Sequence, residues 1–360
     1  MTVSVMLLIA AMHAIPWFVW VGFLAAIAGM IALDLGVFHR RDETPTFKSS
    51  IKWTAVWVSV ALAFSGVVYQ IYEGHWFPTG DPVEPGAGWR AVTDYLTAYI
   101  VEESLSLDNI FVIAIIFSYF RVPIASQHRV LFWGILGAVV MRGAMIFAGV
   151  ALIHKFEWII YVFGVLLLFS AFKLLFMKDD QFDPESNPVV RLVRRWVPVS
   201  NVRDSKHFFI QENGRTTATT LFLALVMVET TDLMFAVDSI PAVIAVTQDP
   251  FLVFTSNIFA ILGLRSLYFA LAGFMETLKH LKTSLVFVLA FVGVKMLLVN
   301  TYKIPNTVSL AVIVSILTVG VIASLMSGKA QEELEAAIEH DEEIEHQEDQ
   351  DGAADPDENA

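Results

Sequence analysis

The sequence predicts an all-α polytopic membrane protein of about nine transmembrane helices that contains two inverted three-helix repeats. Hydrophobic residues make up 56% of the chain and its mean hydropathy is +0.64, which is too apolar for a soluble domain. Apolar segments long enough to cross a bilayer recur along the chain. A pattern of charged residues within these segments also occurs twice, on three successive segments each time. Together these observations favour a membrane protein with an internal duplication.

Nine apolar segments are long enough to cross the bilayer as helices. They cover residues 17–38, 51–72, 91–119, 129–152, 157–177, 217–248, 251–275, 282–301 and 305–326. The predicted parts of the chain are a lead-in with the first two helices, a first three-helix repeat, a cytosolic loop, a second inverted three-helix repeat, a last helix and an acidic disordered tail. Their bounds are residues 1–90, 91–177, 178–216, 217–301, 302–328 and 329–360.

Lysine and arginine residues are distributed unequally between the two sides of this arrangement. The segments after predicted helices 1, 3, 5, 7 and 9 hold 16 of them when the basic residues at the very start of the following helices, Lys52, Arg129 and Lys282, are included. The N-terminus and the segments after helices 2, 4, 6 and 8 hold only 3. Because basic loops stay in the cytoplasm, the N-terminus is predicted to lie outside the cell membrane and the C-terminus inside. The first repeat then begins outside and the second inside. Antiparallel repeats of this kind form many secondary transporters.

The polar loop and the acidic tail say less about function than the predicted membrane helices do. In the loop between the repeats, a basic run around Arg191 is suited to the anionic inner leaflet, and residues 208–217 resemble a hairpin with Asn213 and Gly214 at its turn. Residues 331–360 hold 14 of the 36 acids and no lysine or arginine, so the net charge of −13 belongs to the tail. The absence of cysteine excludes disulfides and thiolate metal ligands. No nucleic-acid partner, enzymatic activity or bound cofactor is predicted.

Acidic residues within two of the predicted helices are the candidates for function. A carboxylate near the centre of a membrane-spanning helix costs roughly 2.5–3.5 kcal/mol, so a sequence that keeps several there is expected to use them. The two helices carry a similar pattern, since aligning Glu102 with Asp232 also aligns Asp108 with Asp238. The six acids are Glu102, Glu103 and Asp108 in the first repeat, and Glu229, Asp232 and Asp238 in the second.

Basic residues interrupt the next two helices of each repeat at matching places. Arg142 and Arg265 lie in the second helix of their repeats, and Lys173 and Lys295 lie in the third. When Asp34, near the inner end of the first helix, is counted with the six acids, the acids outnumber these four bases by three. An ion-pair network that only stabilised the fold would be expected to balance more closely, so the surplus favours a cation or protons as ligands.

The residue types define the kind of cation. Carboxylates with neighbouring amide and hydroxyl oxygens, and no cysteine or mid-helix histidine, suit Mn²⁺, Mg²⁺ or Ca²⁺ better than Zn²⁺ or Cu⁺. The predicted metal ligands are Glu102, Asp108, Glu229, Asp232 and Asp238, with Asp34, Asn109 and Ser239 as accessory ligands. The predicted counter-ions are Arg142, Lys173, Arg265 and Lys295, for which a purely structural role is the alternative.

The spacing of the acids along the helix makes it difficult for all of them to bind one ion. Six residues turn an α-helix through about 600°, so Glu102 and Asp108 would lie about 120° apart on an unbroken helix. Either they face different cavities or the helix is interrupted between them. Pro241 favours interruption in the second repeat, with Ser239 as the cap of a new half-helix and Asn109 in the same role in the first repeat.

Four stretches of the chain resemble the TerC/Alx family of integral membrane proteins, in the LysE-like transporter group. They are residues 32–38 (ALDLGVF), 102–111 (EESLSLDNIF), 229–241 (ETTDLMFAVDSIP) and 254–265 (FTSNIFAILGLR). The resemblance covers roughly residues 17–326. It implies a multi-span protein linked to tellurium resistance by name and, in Alx-type members, to Mn²⁺ export. It also implies that the family's intramembrane acids correspond to the five predicted metal ligands, whereas Glu103 departs from the lysine found in many members.

The sequence therefore predicts a multi-pass exporter of divalent metal in the cell membrane, with Mn²⁺ as the transported ion. Proton exchange is the expected energy source, because no nucleotide-binding Gly-x-x-x-x-Gly-Lys-Ser/Thr motif is present. The predicted partners are the divalent ion, protons and the lipid bilayer. The alternative is a membrane-protein assembly or insertion partner, or a component of a tellurite-resistance complex, whose acids only fix helix packing. An intramembrane aspartyl protease is disfavoured because its Gly-x-Gly-Asp string is absent.

Overall fold

The computed structural model describes residues 15–38, 46–74, 86–176, 188–200, 207–212, 214–271 and 279–327, together with residues 332, 335–336 and 338–339. Its helices are α1 Trp17–Phe38, α2 Phe47–Tyr72, α3 Ala87–Tyr119, α4 Ile124–Lys155, α5 Ile159–Phe176, α6 Pro188–Trp196, α7 Thr220–Ile244, α8 Pro250–Leu271, α9 Lys279–Leu297 and α10 Asn306–Leu325. The Asp34 side chain, a predicted accessory ligand, and most of the acidic tail lie outside the described part of the chain.

The described helices lie where the apolar segments of the sequence predict them. Apart from α6, which has 9 residues, they are 18 to 33 residues long. Six of them, α2, α4, α5, α7, α8 and α10, are long and apolar enough to cross a membrane. The prediction of an all-α polytopic membrane protein is confirmed. That α1, α3 and α9 also span the bilayer stays a prediction.

The described part of the loop predicted to be cytosolic contains α6 and a short hairpin. Strand β1, Phe209–Glu212, pairs with strand β2, Arg215–Ala218, in antiparallel register. Gly214 lies in the turn between the two strands with a φ of 76°, a conformation that glycine adopts without steric cost. The predicted hairpin is thus confirmed, while Asn213 lies outside the described residues.

Helices α3 and α7 both run unbroken through the candidate acids. Pro241 lies within α7, which continues to Ile244, and no break separates Glu102 from Asp108 in α3. The predicted interruption is therefore wrong. Pro241 removes one backbone donor, and helices in a membrane tolerate such a loss where neighbouring groups compensate for it. Continuity leaves Glu102 and Asp108 on different sides of their helix.

Helix α8 is the centre of the bundle, since 19 of its 22 residues are buried. Aromatic side chains from α1 and α2 pack against it. The rings of Trp20 and Phe251 are 5.1 Å apart, and those of Phe64 and Phe259 are 4.9 Å apart. Pairs at these separations add roughly 0.5–1.5 kcal/mol beyond the burial of their area. The first two helices therefore hold α8 against the rest of the bundle.

The two three-helix units, α3–α5 and α7–α9, contact each other along every one of their helices. Helix α3 packs on α8, α4 on α7, and α5 on α9, with further contacts of α3 with α7 and α4 with α8. Exchanging the two units leaves this set of neighbours unchanged. Such a contact pattern is expected for repeats related by a two-fold axis, with residues from both units meeting at its centre.

The crossing of α5 and α9 depends on two glycines. A Cβ at Gly293 would lie 3.1 Å from the Gly164 carbonyl oxygen and 3.1 Å from the Leu168 side chain. We expect Gly293→Ala to destabilise the protein by about 1–3 kcal/mol, because backbone rather than a flexible side chain must move. The matched control is Gly66→Ala in α2, where no atom lies within 4 Å and no loss is expected. Unfolding free energies in mixed micelles test this; equal values for both variants would contradict it.

Candidate functional site

Arg142 is the centre of the candidate site and joins acids from both three-helix units. From α4, its Nη1 atom donates to Glu102 of α3. Its Nη2 and Nε atoms donate to the two carboxylate oxygens of Asp232 in α7, at 2.7 and 3.1 Å. Nη1 also donates to Ser239 Oγ at 3.4 Å. The first helix of each unit is thus connected through one guanidinium, and Arg142 has the position predicted for a counter-ion.

This ion-pair group is enclosed by protein. Arg142 is 1% exposed, Glu102 is 0% exposed and Asp232 is 13% exposed. Burying an ion carries an effective penalty of several kcal/mol, which is offset only when the partners are close and hydrogen-bonded. The planar guanidinium meets this condition because it can serve two carboxylates at once. A lysine at this position would offer a single point charge instead.

Further carboxylate oxygens on α3 and α7 are buried without a hydrogen-bond partner among the residues that the structure describes. These atoms are Glu102 Oε2, Glu103 Oε2 and Glu229 Oε2. Glu229 lies one turn before Asp232 on α7, and its carboxylate lies directly over Gly137 of α4, where a Cβ would clash with it. The candidate site therefore holds more acid than Arg142 alone neutralises.

Asp238 and Asp108 make other contacts. Asp238 accepts a hydrogen bond of 2.7 Å from Ser170 Oγ in α5, and Lys173 on the same helix interacts with it electrostatically. Asp108 is half-buried on another side of α3 than Glu102. Within the described ranges, no three or more histidine, aspartate or glutamate side chains form a group that could hold a metal ion. The structure brings Glu102 and Asp232 together, but it does not gather the five predicted ligands into one group.

A small cavity lies between the two units, on the side where α4 and α7 begin. Its polar lining is formed by Asn109, Thr231, Asp232 and Arg265, and apolar side chains of α3, α4, α7 and α8 complete its wall. Asn109 is 5% exposed, and its Oδ1 atom has no hydrogen-bond partner in the described part of the chain. Of the predicted accessory ligands, Asn109 therefore faces this cavity and Ser239 contacts Arg142.

A second polar group lies at the opposite side, where α3 and α10 begin and α9 ends. Lys295 Nζ donates to Asn306 Oδ1 at 2.6 Å, and Asn306 Nδ2 donates to Asp94 Oδ1 at 2.6 Å and to the Val246 carbonyl at 2.9 Å. Lys295 is thus linked to Asp94 and to none of the predicted ligands. Sequence reasoning missed Asp94 and Asn306, although an aspartate inside an apolar segment is a signal that could have found the first.

Asp249, in the turn between α7 and α8, is a further half-buried acid that sequence reasoning missed. It accepts a hydrogen bond of 2.7 Å from the Tyr72 hydroxyl and bonds from the backbone N–H groups of Phe251 and Leu252 at 2.8 and 3.3 Å. Burial raises the pKa of Asp249, and these hydrogen bonds oppose that shift. Asp249 therefore holds the start of α8 against the end of α2.

Comparisons with known proteins point to one family. Residues 87–332 match the integral membrane protein TerC family. A protein described as an uncharacterized membrane protein of Myxococcus xanthus is 49% identical over 310 residues, 86% of this chain and 92% of that protein. The putative membrane-bound redox modulator Alx of Escherichia coli strain K12 is 44% identical over 299 residues, 83% of this chain and 91% of that protein. No solved structure matches.

Proposed function

Since this chain belongs to the integral membrane protein TerC family, we propose that it exports a divalent metal cation across the cell membrane, with Mn²⁺ as the ion and protons in exchange. One observation carries the proposal: acids of both three-helix units meet at a single buried arginine, with an excess of carboxylate over guanidinium. A transported ion held at the interface of two inverted units can be exposed to either side as the units move.

The chemistry of the donor atoms supports a cation that prefers oxygen ligands, the class to which Mn²⁺ belongs together with Mg²⁺ and Ca²⁺. Glu102 and Asp232 supply carboxylate oxygens, and the unpartnered Oε2 atom of Glu229 lies one helical turn away. Mn²⁺ accepts carboxylate, amide and water oxygens. In the described arrangement Arg142 occupies the two carboxylates that an ion would need. We infer that the cation and the guanidinium compete for them, so that one is released when the other binds.

Protons supply the coupling in this proposal. A metal ligand must be deprotonated, so protonation of Glu102, Asp232 or Glu229 weakens metal binding and binding of the metal releases protons. Because the site holds more carboxylates than Arg142 needs, carboxylates remain that can bind either the metal ion or a proton. If every carboxylate were needed to neutralise Arg142, none would remain for the ion or the proton.

The relative position of Gly137 and Glu229 gives a specific prediction. Gly137→Ala adds a methyl group where the Glu229 carboxylate lies. Only the flexible end of that side chain must move, so the fold should persist, while Mn²⁺ flux should fall by about tenfold or more because the acid is displaced. The control is Gly22→Ala in α1, which meets no atom within 4 Å. Flux in proteoliposomes checks this, and unchanged flux in Gly137→Ala would remove Glu229 from the proposed site.

The 16-to-3 distribution of basic residues predicts the orientation of the protein in the membrane, which can be tested separately from transport. A reporter fused after Ser327, behind α10, should be cytosolic. A reporter inserted at Gly86, before α3, should lie outside. Enzymatic reporters active on only one side of the membrane measure this. Finding both on the same side would contradict the antiparallel arrangement of the two units.

Transport by the purified protein tests the proposal itself. Full-length protein in proteoliposomes should move Mn²⁺ in response to a pH gradient, with Mg²⁺, Ca²⁺ and Zn²⁺ added in turn as competitors. Movement of Mn²⁺ by the protein alone supports an exporter. A correctly inserted protein that moves no ion would favour the alternative.

That alternative is an assembly or insertion partner in the membrane. The observation in its favour is that Arg142 pairs with Glu102 and Asp232 at the same time, as the arginine of a purely structural ion-pair group would. The Alx relative of Escherichia coli is described as a putative membrane-bound redox modulator, which suggests a redox role as a further possibility. This chain contains no cysteine, so a redox role for it would not use thiol and disulfide exchange within the chain.

A further inference from the structure

Three polar residues form a stripe along one face of α3. Glu102, Ser106 and Asn109 are four and three residues apart, a spacing that places side chains on the same face of a helix. They are 0%, 2% and 5% exposed. Glu102 Oε2, Ser106 Oγ and Asn109 Oδ1 each lack a hydrogen-bond partner within the part of the chain that the structure describes. We refer to these three residues as the polar stripe.

The polar stripe ends at the cavity between the two units. Asn109 lines the cavity together with Asp232 and Arg265, which provide charged groups on its other walls. The cavity has a volume of about 20 Å³, taken as the space open to the centres of water molecules. A single water needs roughly 10–15 Å³ by this measure, so the cavity holds about one.

Polar atoms that are buried and lack a hydrogen-bond partner, as these three do among the described residues, require an explanation. Burying a hydroxyl or amide without a hydrogen bond costs about 1–3 kcal/mol by mutational measures, and burying an unpaired carboxylate oxygen costs more. Neighbouring Ser104 shows the usual solution, since its hydroxyl donates to the Ile100 carbonyl. Ser106 makes no such bond, although a carbonyl one turn before it in the same helix is available in principle. The Ser106 hydroxyl is therefore left for a partner other than the carbonyl groups of its own helix.

We propose that the polar stripe lines a narrow water-filled path from the cavity to the Glu102 carboxylate, which admits water, protons and small cations from the predicted cytosolic end. Water would satisfy Asn109 Oδ1, Ser106 Oγ and Glu102 Oε2 in turn, at one-turn intervals of about 5–6 Å. The cavity lies in the half of the bundle where α4 and α7 begin and α8 ends, which is the predicted cytosolic half. The inference rests on the proposed function only for the identity of the ion.

The absence of cysteine makes the path directly testable. Ser106→Cys introduces the only thiol of the full-length chain, with almost the shape of serine. Ser104→Cys is the matched control, because Ser104 is 3% exposed, lies two residues away and faces the opposite side of α3. Ag⁺ is a thiol-binding cation small enough for the cavity. It is added to one side of sealed membrane vesicles, and the thiols that remain are counted with a fluorescent maleimide after denaturation.

We expect Ser106→Cys to react with Ag⁺ at least roughly 100-fold faster than Ser104→Cys, because a thiol in dry apolar surroundings is inert. The fast reaction should require Ag⁺ on the cytosolic side. Asn109→Cys, at the cavity itself, should react from the same side and provides a second test if Ser106→Cys inserts poorly. Equal rates for the stripe and control variants, or reaction only from the opposite side, would overturn the proposal.

The outcome is independent of transport. Labelling is measured without Mn²⁺ and without an ion gradient. If the protein reacts with Ag⁺ as expected but carries no Mn²⁺, the proposed path is supported and the proposed function is wrong. If the protein carries Mn²⁺ while Ser106→Cys and Asn109→Cys stay unreactive, the proposed function is supported and the proposed path is wrong.

Discussion

Replacing Arg142 with glutamine should destabilise the folded protein by about 3–5 kcal/mol, because it leaves the Glu102 and Asp232 carboxylates buried without their cation. This is a large part of the stability of an ordinary domain, about 5–15 kcal/mol, so poor insertion into the membrane is expected as well. The free energy of unfolding in mixed micelles and the amount of protein in the membrane fraction are the measurements.

Two further variants separate the loss of this contact from a general effect of substitution. Arg90→Gln, at an exposed position near the start of α3, should change stability by no more than about 0.5 kcal/mol. The triple variant Arg142→Gln with Glu102→Gln and Asp232→Asn should recover much of the lost stability, since no unpaired charge then remains. A stable Arg142→Gln protein would show that Arg142 does not hold the two units together.

The helices were predictable because the bilayer imposes a simple rule. A segment must be apolar over about 20 residues to cross it, and the described helices follow the apolar segments closely. The polar hairpin followed from its turn residues in the same way. The start of α8 carried a comparable signal, since Asp249 directly before the helix accepts bonds from its first backbone N–H groups.

Tertiary pairing was less predictable. The two repeats present Arg142 and Arg265 at matching places, and sequence spacing alone treats them as equivalent. In the structure Arg142 binds an acid from each unit, which follows from how the helices pack and is not encoded by spacing. Glu102 and Asp232 were identified as candidates because burying a charge in a membrane is costly. That argument does not predict which arginine pairs with them.

Two errors have identifiable physical causes. The predicted interruption near Pro241 gave too much weight to one missing backbone donor, whereas α7 remains helical because packing around it dominates. The group around Asn306 was missed because a neutral amide near a helix end carries little signal. Asn306 contacts α3, α9 and the turn after α7 only because the fold brings these parts of the chain together.

Neutralising Glu102 should have the second large effect, this time on transport. Glu102→Gln keeps the shape of the side chain, and Arg142 keeps Asp232 as its partner, so the fold should persist. Substituting residues that merely support a metal ligand typically costs 10–100-fold in affinity or activity, so loss of a proposed ligand should reduce Mn²⁺ flux by at least about 100-fold. A Mn²⁺-dependent rise in melting temperature should disappear with it.

Glu157→Gln is the matched control for this substitution. It removes one acid by the same chemical change at an exposed position between α4 and α5, away from the candidate site. Its flux and its melting temperature with Mn²⁺ should equal those of the unmodified protein. Loss of flux in this variant would show that the effect of Glu102→Gln reflects the overall charge of the protein.

The most direct measurement is Mn²⁺ flux by the unmodified protein, Glu102→Gln and Glu157→Gln, purified and reconstituted at equal amounts in proteoliposomes under one pH gradient. If buried carboxylates shared by the two units carry the ion, the unmodified protein and Glu157→Gln will transport Mn²⁺ at the same rate, and Glu102→Gln will not rise above empty vesicles. Equal flux in Glu102→Gln and the unmodified protein would contradict this, because the ion would then cross without the acid at the centre of the proposed site.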